Sequence, residues 1–368
     1  MKQLHQFHHP DLHMFVVTVA LVILGLVMIY SSSAIFATQQ YNNSWYFFQK
    51  QMLWALVGFV VFFMLIKTDY HVLQRYSRVL IITSVILLVL VLTGIFGREI
   101  GGAKRWISLG PLRFQPSELA KISLLIYIAD YLDRKQSKMS KMIKGVAPIL
   151  MVIGLICGLI LIEPDMGTSV SLGVVCLGML FVGGLSTWYL VSLIAMVIPV
   201  FGYLVVSKPY RMRRLMAFFD PWADPQNVGY QIIQSLIALG SGGFLGMGLG
   251  NSKQKLLYLP AAHTDFIFPI IGEELGFIGA LSVVVLFFIF AWRGMKISFH
   301  APDLFGSMLA GGITLMIVLQ AIINIGVSCA LFPTKGLPLP LVSYGGSNLA
   351  FTLASIGILL NISRQTVK

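Results

Sequence analysis

Ten runs of apolar residues follow one another along the chain, separated by short polar or turn-forming segments. A helix needs about 20 largely apolar residues to cross the hydrocarbon core of a bilayer. The pattern therefore predicts ten transmembrane helices in one domain, residues 1–368, with a large loop at about 208–265 between the seventh and eighth helices. The predicted spans lie near residues 14–36, 51–66, 79–97, 117–133, 146–163, 166–184, 188–207, 266–292, 305–331 and 347–362.

The composition indicates an all-α polytopic membrane protein and excludes an ordinary soluble domain. Of the 368 residues, 57% are hydrophobic and only 11% are charged, a balance that no soluble globular class shows. The formal net charge is +12. A negatively charged membrane surface and a bound anion would both favour this excess, and composition does not separate them. We expect the chain to be embedded in lipid and to have no nucleic-acid partner.

Two predicted loops carry cations that membrane topology does not explain. Lys and Arg concentrate in the cytoplasmic loops of membrane proteins. An N-terminus on the inside places the basic loops 67–78 and 134–144 in the cytoplasm. Nearly all of the cations on the outward side then lie in or beside the loops 98–116 and 208–265. We therefore predict that the cations of these two loops bind an anion.

The candidate anion ligands are Lys104 and Arg105 in the first loop and Arg211, Arg213 and Arg214 in the second. The second group belongs to a stretch with four cations in the seven residues 208–214. Arginine suits phosphate because its planar guanidinium donates two parallel hydrogen bonds. The pattern predicts a phosphate site shared by the two loops.

Glu118 and Lys121 begin the fourth predicted helix and lie three residues apart on one face. They either form a mutually satisfied ion pair at the helix start or line a polar cavity. The sequence leaves both interpretations open. In either case the two side chains should face protein or water rather than lipid.

One carboxylate, Asp265, lies where the second loop meets the eighth predicted helix. Proline is best tolerated in the first turn of a helix, so Pro269 places the helix start near Phe266 and Asp265 at its mouth. An acid at a membrane boundary is costly and indicates a functional site. The alternative is that Thr264 or Asp265 only caps the helix. His263 is a candidate binding residue, although a lone histidine more often has a structural role.

The loop before this helix contains a basic part and a glycine-rich part. Lys255 in the basic part is a further candidate for substrate binding. The glycine-rich stretch 240–250 has neither the G-x-G-x-x-G spacing nor the lysine of a nucleotide-binding loop. We predict instead that its backbone packs close to a ligand or to a neighbouring helix.

These residues together favour group transfer from a lipid-linked pyrophosphate. Such a donor needs cations that hold its anion and stabilise the leaving group, and the acceptor hydroxyl needs a general base. A single base fits direct displacement with inversion, because retention usually requires a second, nucleophilic carboxylate. The residues alone leave open a transporter whose acid binds a proton.

Several motifs resemble the SEDS family of cell-wall proteins, which comprises FtsW, RodA and SpoVE. The matching segments, in family order, are 104–121, 163–168, 210–214, 263–268, 272–276 and 333–347. The segments 333–338 and 220–225 look more like the division member than the elongation member. Asn348 departs from the family pattern, in which a small hydroxyl residue is expected.

The resemblance implies a ten-span peptidoglycan glycosyltransferase that polymerises lipid II on the outer face of the bacterial cytoplasmic membrane, at the division septum. Undecaprenyl pyrophosphate would be the leaving group and the lipid-linked glycan the donor. The family's essential acid falls on Asp265. Ser343 and the segment 333–340 would shape the outward cavity, and the cations, with or without a divalent cation, would hold the pyrophosphates.

The resemblance also implies partners and rival functions. A class B penicillin-binding protein, an FtsI-like transpeptidase, is the expected partner, together with other division proteins. The alternatives from other classes are a lipid II flippase and a scaffold of the division complex. A flippase would need a pathway for the head group through the bilayer, whereas the candidate acids and cations gather on one face.

Overall fold

The computed structural model describes residues 9–93, 97–100, 103–109, 112–139, 141–256 and 258–366, and a helix lies on each of the ten predicted spans. The helices are α1 (Leu12–Tyr41), α2 (Tyr46–Lys67), α3 (His71–Arg75), α4 (Ser77–Leu92), α5 (Pro116–Lys135), α6 (Ala147–Ile162), α7 (Met166–Val182), α8 (Thr187–Val206), α9 (Pro209–Phe219), α10 (Tyr230–Ser241), α11 (Ile267–Phe299), α12 (Leu304–Ser328) and α13 (Gly346–Ser363). The strands are β1 (Gly97–Ile100), β2 (Ala103–Leu109) and β3 (Leu112–Phe114).

The helices confirm an all-α, polytopic membrane protein. Within the described residues, six helices are long and apolar enough to cross a membrane: α1, α2, α6 with the turn before it, α11, α12 and α13. The apolar helices α4 and α7 are shorter, as is the apolar part Thr187–Tyr203 of α8. Helix α5 is the most polar of the ten because it carries Glu118, Lys121 and Asp130, yet nearly all of its residues from 116 to 132 are buried. Its charges therefore face protein, as predicted.

The centre of the bundle is formed by α13, whose residues from Ser347 to Ser363 are almost all buried. It packs along α2 and also contacts α5 and α12. Helix α8 lies at the periphery, and most of its side chains are exposed. Three helix starts are fixed by carboxylates: Asp11, Asp165 and Asp303 each accept a hydrogen bond from the backbone N–H three residues later, which satisfies a donor that the helix itself leaves unpaired.

A small antiparallel sheet in the loop 97–114 was not predicted. Strand β2 pairs with β1 on one side and β3 on the other, and Ile107 faces Phe114 in the second pair. Residues 101–102 and 110–111, between the strands, lie outside the described residues. The sheet is joined to the bundle through Ser347, whose hydroxyl donates to the carbonyl of Arg113 at 2.8 Å and accepts from the N–H of Gln115 at 3.2 Å.

Helix α11 is interrupted at Gly276, which has φ 70° and ψ −167°. The interruption leaves the carbonyls of Glu273 and Glu274 without helical partners, and the backbone N–H groups of Met247 and Gly248 donate to them at 3.0 Å. A side chain at Gly246 would lie 2.2 Å from the carbonyl oxygen of Glu274, so only glycine fits there. The glycine-rich stretch therefore packs against a helix, one of the two uses predicted for it.

The large loop 208–265 is mostly structured. It contains α9, a short 3-10 turn at Pro221–Ala223, and α10. Helix α10 packs against α11 and α12, and its buried Ser235 donates to the carbonyl of Ser328 at 2.7 Å. Asp265, the 163–165 turn and the 333–345 segment all lie at one end of the bundle, which we call the site end.

Candidate active site

Asp265 precedes the first turn of α11 without capping it. The helix begins at Ile267, and Phe266 occupies the cap position with no side-chain hydrogen bond. The hydroxyl of Thr264 donates to the carbonyl of Ala261 at 3.1 Å, so neither predicted capping residue performs that role. Within the described part of the chain, nothing donates a hydrogen bond to the Asp265 carboxylate. The structure thus removes the capping explanation and leaves this acid free for chemistry.

Burial raises the pKa of Asp265 to about 6. The positive charges of Arg214 and Arg105 act in the opposite direction, and the negative charge of Asp165 adds to the increase. The carboxyl group therefore has three charged neighbours from separate elements: α9, β2 and the cap of α7. A pKa near 6 suits a general base at neutral pH, since the group is mostly ionised yet accepts a proton readily.

The segment 333–345, between α12 and α13, forms a wall beside Asp265. A Cβ atom at Gly336 would lie 3.3 Å from Asp265 Oδ2, so the backbone of this segment faces the carboxylate directly. Ser343 is buried, and its hydroxyl accepts from the N–H of Leu339 at 2.8 Å. Gln320 of α12 donates to the carbonyl of Pro338 at 2.9 Å. Ser343 thus holds the backbone of this wall, and its role in a substrate cavity stays a prediction.

The arginines of α9 lie beside this site. Arg211 donates to the hydroxyl of Tyr210 at 3.0 Å, and the guanidinium groups of Arg211 and Arg214 lie 5.6 and 6.0 Å from the centre of the Tyr210 ring. Arg213 and Arg214 are exposed. Of the three, Arg214 is the one whose charge acts on Asp265. The aromatic ring keeps two guanidinium groups together at the site end.

Arg105 of β2 holds the turn between α6 and α7. Its Nε donates to the carbonyl of Glu163 at 2.7 Å, and its Nη2 donates to the carbonyl of Pro164. A guanidinium carries five N–H donors, so further donors are left for an anion. Lys104 precedes it on the same strand, but the side chain of Lys104 lies outside the described residues.

The same turn contains two buried carboxyl groups. Asp165 caps α7 and also accepts a hydrogen bond from the hydroxyl of Thr168 at 3.0 Å. Glu163 is buried, and within the described structure neither of its carboxylate oxygens has a hydrogen-bond partner. Burial, together with the charge of Asp165, raises the pKa of Glu163 to about 8, against the opposing charge of Arg105. Glu163 is therefore protonated at neutral pH.

Glu118 and Lys121 form an ion pair at 2.9 Å, and both side chains are only 7% exposed. Asn348 donates to both oxygens of Glu118 at 3.3 Å. Glu118 and Lys121 therefore form the ion pair that was one of the two predicted alternatives. Asn348, which departs from the family pattern, is hydrogen-bonded to the acid of this pair. The hydrogen bonds between Glu118 and Asn348 join α5 to α13.

Two other predicted binding residues are engaged within the protein. Lys255 forms a buried ion pair with Glu274 at 2.8 Å, and its ammonium also donates to Ser31 at 3.2 Å. His263 lies among aromatic rings, with ring centres 4.6 Å from Phe47 and 5.7 Å from Phe36. Burial lowers the pKa of His263 to about 4, so it is neutral at pH 7. The structure does not bring these two side chains together with the arginines.

Lys335 was not among the predicted site residues, although it immediately precedes Gly336. Burial lowers its pKa. Its ammonium lies 6.0 Å from the centre of the Phe201 ring on α8, and the described residues place no carboxylate within ion-pair distance. A half-buried cation that no nearby carboxylate neutralises is suited to contact an anionic ligand. Its position in a short loop with one cation gave no sequence signal.

The described residues contain no group of three or more His, Cys, Asp or Glu side chains that could hold a metal ion. Asp165 is already used as a cap, which leaves Asp265 as the free carboxylate at the mouth of α11. A divalent cation at this site therefore stays a prediction.

The fold and site define a polytopic membrane protein with a free carboxylate and several cations at one end of its bundle. The chain belongs to the FtsW/RodA/SpoVE family, since the family model described as "Cell cycle protein" matches residues 11–368. It is 42% identical to the "Probable peptidoglycan glycosyltransferase FtsW" of Geobacter sp. (strain M18), over 96% of this chain and 97% of that protein. It is 41% identical to "Stage V sporulation protein E" of Bacillus subtilis (strain 168), over 97% and 98%.

Solved structures show the same fold. A chain from "Structural coordination of polymerization and crosslinking by a peptidoglycan synthase complex" matches with a TM-score of 0.79 and 31% identity, over 96% of this chain and 98% of that one. The rod shape determining protein RodA of Thermus thermophilus matches with a TM-score of 0.72 and 28% identity, over 98% of both chains. The resemblance drawn from the motifs is confirmed, and relatives that cover nearly the whole chain bear the name of an enzyme.

Proposed function

We propose that this protein is a peptidoglycan glycosyltransferase that polymerises lipid II, with Asp265 as its general base. The observation that carries the proposal is the Asp265 carboxylate, which lacks a capping role and receives no hydrogen bond from the described residues. It stands within reach of the charges of Arg214 and Arg105. The names of the full-length relatives support the reaction class.

In the proposed step, Asp265 accepts the proton of a sugar hydroxyl on the incoming lipid II. The hydroxyl oxygen then forms a bond with the anomeric carbon of the lipid-linked glycan. The bond between that carbon and the pyrophosphate oxygen breaks, and undecaprenyl pyrophosphate leaves with the electron pair. The proton on Asp265 passes to solvent, which restores the base.

The cations around Asp265 suit a pyrophosphate leaving group. Arg214 comes from α9, Arg105 from β2 and Lys335 from the segment 333–345, so an anion between them would be held from three sides. Arg211 and Arg213 extend this basic surface along α9. Cations placed where negative charge develops stabilise the transition state more than the ground state, and Lys335 would gain the partner that it lacks.

The hydrogen bonds of Asp165 support inversion at the anomeric carbon. A retaining enzyme needs a second carboxylate as nucleophile, close to the acid or base. Asp165 is near Asp265, but it accepts hydrogen bonds from the N–H and the hydroxyl of Thr168. Since its oxygens hold the start of α7, Asp265 would act alone by direct displacement.

The proposal extends to location and partner. We place the site end on the outer face of the bacterial cytoplasmic membrane, at the division septum, where lipid-linked precursors are joined. A class B penicillin-binding protein would supply the crosslinking activity. A solved relative from a complex that coordinates polymerization and crosslinking supports this partner class.

The test is polymerisation of lipid II by the purified protein, with and without its transpeptidase partner. Wild-type protein should make glycan, and Asp265→Asn should lose at least about 100-fold in rate, the lower range for a general base. Asp224→Asn is the matched control, because it makes the same change at an exposed acid of the same loop and should retain activity. Wild-type-like polymer from Asp265→Asn would remove the base assignment. Lipid II translocation without polymer from wild-type protein would replace the enzyme with a flippase.

A further inference from the structure

Asn324, on the membrane helix α12, connects the two backbone segments that flank the candidate base. Its side-chain amide donates to the carbonyl of Asp265 at 2.8 Å and to the carbonyl of Leu337 at 2.7 Å. Leu337 follows Gly336, the residue that faces the Asp265 carboxylate. A single side chain therefore holds both the backbone of the acid and the wall opposite it.

The two carbonyl partners fix the orientation of this amide, because only its NH₂ group can donate to them. Its oxygen Oδ1 is then buried, and the described structure offers it no partner. A buried acceptor without a hydrogen bond costs about 1–3 kcal/mol. Asn324 is only 2% exposed and lies in a helix where polar side chains are expensive. Both hydrogen bonds that offset this cost go to backbone beside the candidate base.

The geometry indicates that Asn324 sets the distance between Asp265 and the segment 333–345. Asp265 lies before the first residue of α11 and is not fixed by a cap, so its backbone needs another anchor. The segment 333–345 is likewise irregular. With both carbonyls bound to one NH₂ group, the separation between the acid and the wall is set by α12, a rigid helix. A displacement of about 1 Å at a catalytic group costs about 100-fold in rate, so this anchoring matters for turnover.

We propose that Asn324 is a positioning residue that holds the Asp265 base at a fixed distance from the segment 335–337. This inference rests on the proposed function, since it assumes that Asp265 acts on a substrate. It assigns Asn324 no contact with that substrate. Removal of the amide should therefore lower kcat and leave KM for lipid II nearly unchanged.

Gln320 provides a matched control on the same helix. It lies one turn before Asn324 and donates to the carbonyl of Pro338 at 2.9 Å. It thus anchors the same wall but gives no hydrogen bond to Asp265. A general loosening of the wall should lower kcat equally at the two positions, whereas displacement of the Asp265 backbone should lower kcat more at Asn324 than at Gln320.

The experiment compares Asn324→Asp with Gln320→Glu, which replace an amide by a carboxyl group of nearly the same shape. Asn324→Asp should lower kcat about 10- to 100-fold and change KM less than about twofold, while Gln320→Glu, which loosens the wall but leaves the Asp265 backbone held, should lower kcat by a clearly smaller factor. Asn324→Ala and Gln320→Ala form a second pair with the same expectations, in case a buried carboxyl prevents folding. Thermal unfolding in detergent verifies that each variant is folded.

Hydrogen–deuterium exchange supplies a readout that does not depend on activity. The Asn324 variants should exchange faster than wild type in both 262–267 and 335–340, and the Gln320 variants only in 335–340. Wild-type kcat in a folded Asn324→Asp protein would overturn the proposal, as would equal losses at the two positions or unchanged exchange at 262–267. Inactive wild-type protein would instead remove the proposed function, and the exchange comparison would still decide whether Asn324 holds the two segments.

Discussion

Replacing Asp265 by Asn should inactivate the enzyme and at the same time stabilise the fold. Burial raises the pKa of this carboxyl from its ordinary value of 3.8 to about 6. A carboxyl group with a higher pKa in the folded state binds its proton more tightly there. The free energy of unfolding therefore falls as the pH rises from about 4 to about 6. Above that range, the folded protein carries an ionised group in an unfavourable place.

The size of this effect follows from the two pKa values. Their difference corresponds to about 3 kcal/mol, an upper limit because the side chain keeps some access to solvent. We expect Asp265→Asn to gain about 1–3 kcal/mol at pH 7.5. With an unfolding entropy of about 2.1 cal/mol/K per residue, this gain raises Tm by roughly 1–4 °C.

The assay is thermal unfolding of purified protein in detergent at pH 7.5 and again near pH 4.5. The stabilisation should be fully present at pH 7.5 and reduced to roughly a third at pH 4.5, which lies between the two pKa values. Asp224→Asn should change stability by less than about 0.5 kcal/mol at both values, as exposed substitutions usually do. An Asp265→Asn variant that is less stable than wild type at pH 7.5 would refute the reasoning, as would a gain that does not depend on pH.

Charged and aromatic neighbours at and beside the site carry three further predictions. The rate of polymerisation should fall below pH 6 as Asp265 becomes protonated. Arg214→Gln should move the midpoint of this pH profile upward, because the charge of Arg214 lowers the pKa of Asp265. A midpoint unaffected by Arg214→Gln would contradict the proximity of Arg214 to Asp265. Lys255→Met should destabilise the fold by about 3–5 kcal/mol in thermal unfolding, since it leaves the charge of Glu274 buried and unpaired. The double variant Lys255→Met with Glu274→Met should recover stability. A double variant as unstable as Lys255→Met would argue against the ion pair. His263→Phe should keep kcat within about threefold of wild type, because a neutral ring packed among aromatics needs only shape, and a 100-fold loss would restore a binding role for His263.

The sequence predicted the helices well because apolar runs report burial in lipid and protein alike. Each of the ten predicted segments contains a helix. It did not predict the sheet at 97–114, whose strands are too short to show a clear alternation. It also missed the interruption at Gly276, since the apolar run continues across it and the partner backbone at 246–248 lies elsewhere in the chain.

The candidate site was predictable in its residue types and less so in its partners. Asp265 was singled out because an acid directly before an apolar run is recognisable in the sequence alone. Lys255 looked like an anion ligand because its loop is basic, and the structure pairs it with Glu274 of the next helix. Asn324 carries a signal that was missed: with Gln320 it is one of two amides in a largely apolar helix, where a polar side chain indicates function.

The hydrogen bonds of Asn324 also determine when the site can come into existence during synthesis. Asp265 emerges from the ribosome about 70 residues before Gly336, which corresponds to about 4–14 s of translation. Until α12 is inserted and the segment 333–345 folds against it, the acid has neither its anchor nor its opposite wall. We expect a chain truncated before residue 320 to insert its first eight spans and to show no polymerisation, which an insertion assay combined with lipid II turnover would measure. The catalytic centre would then be assembled last, by the helices that complete the bundle, so that a half-made chain cannot consume precursor.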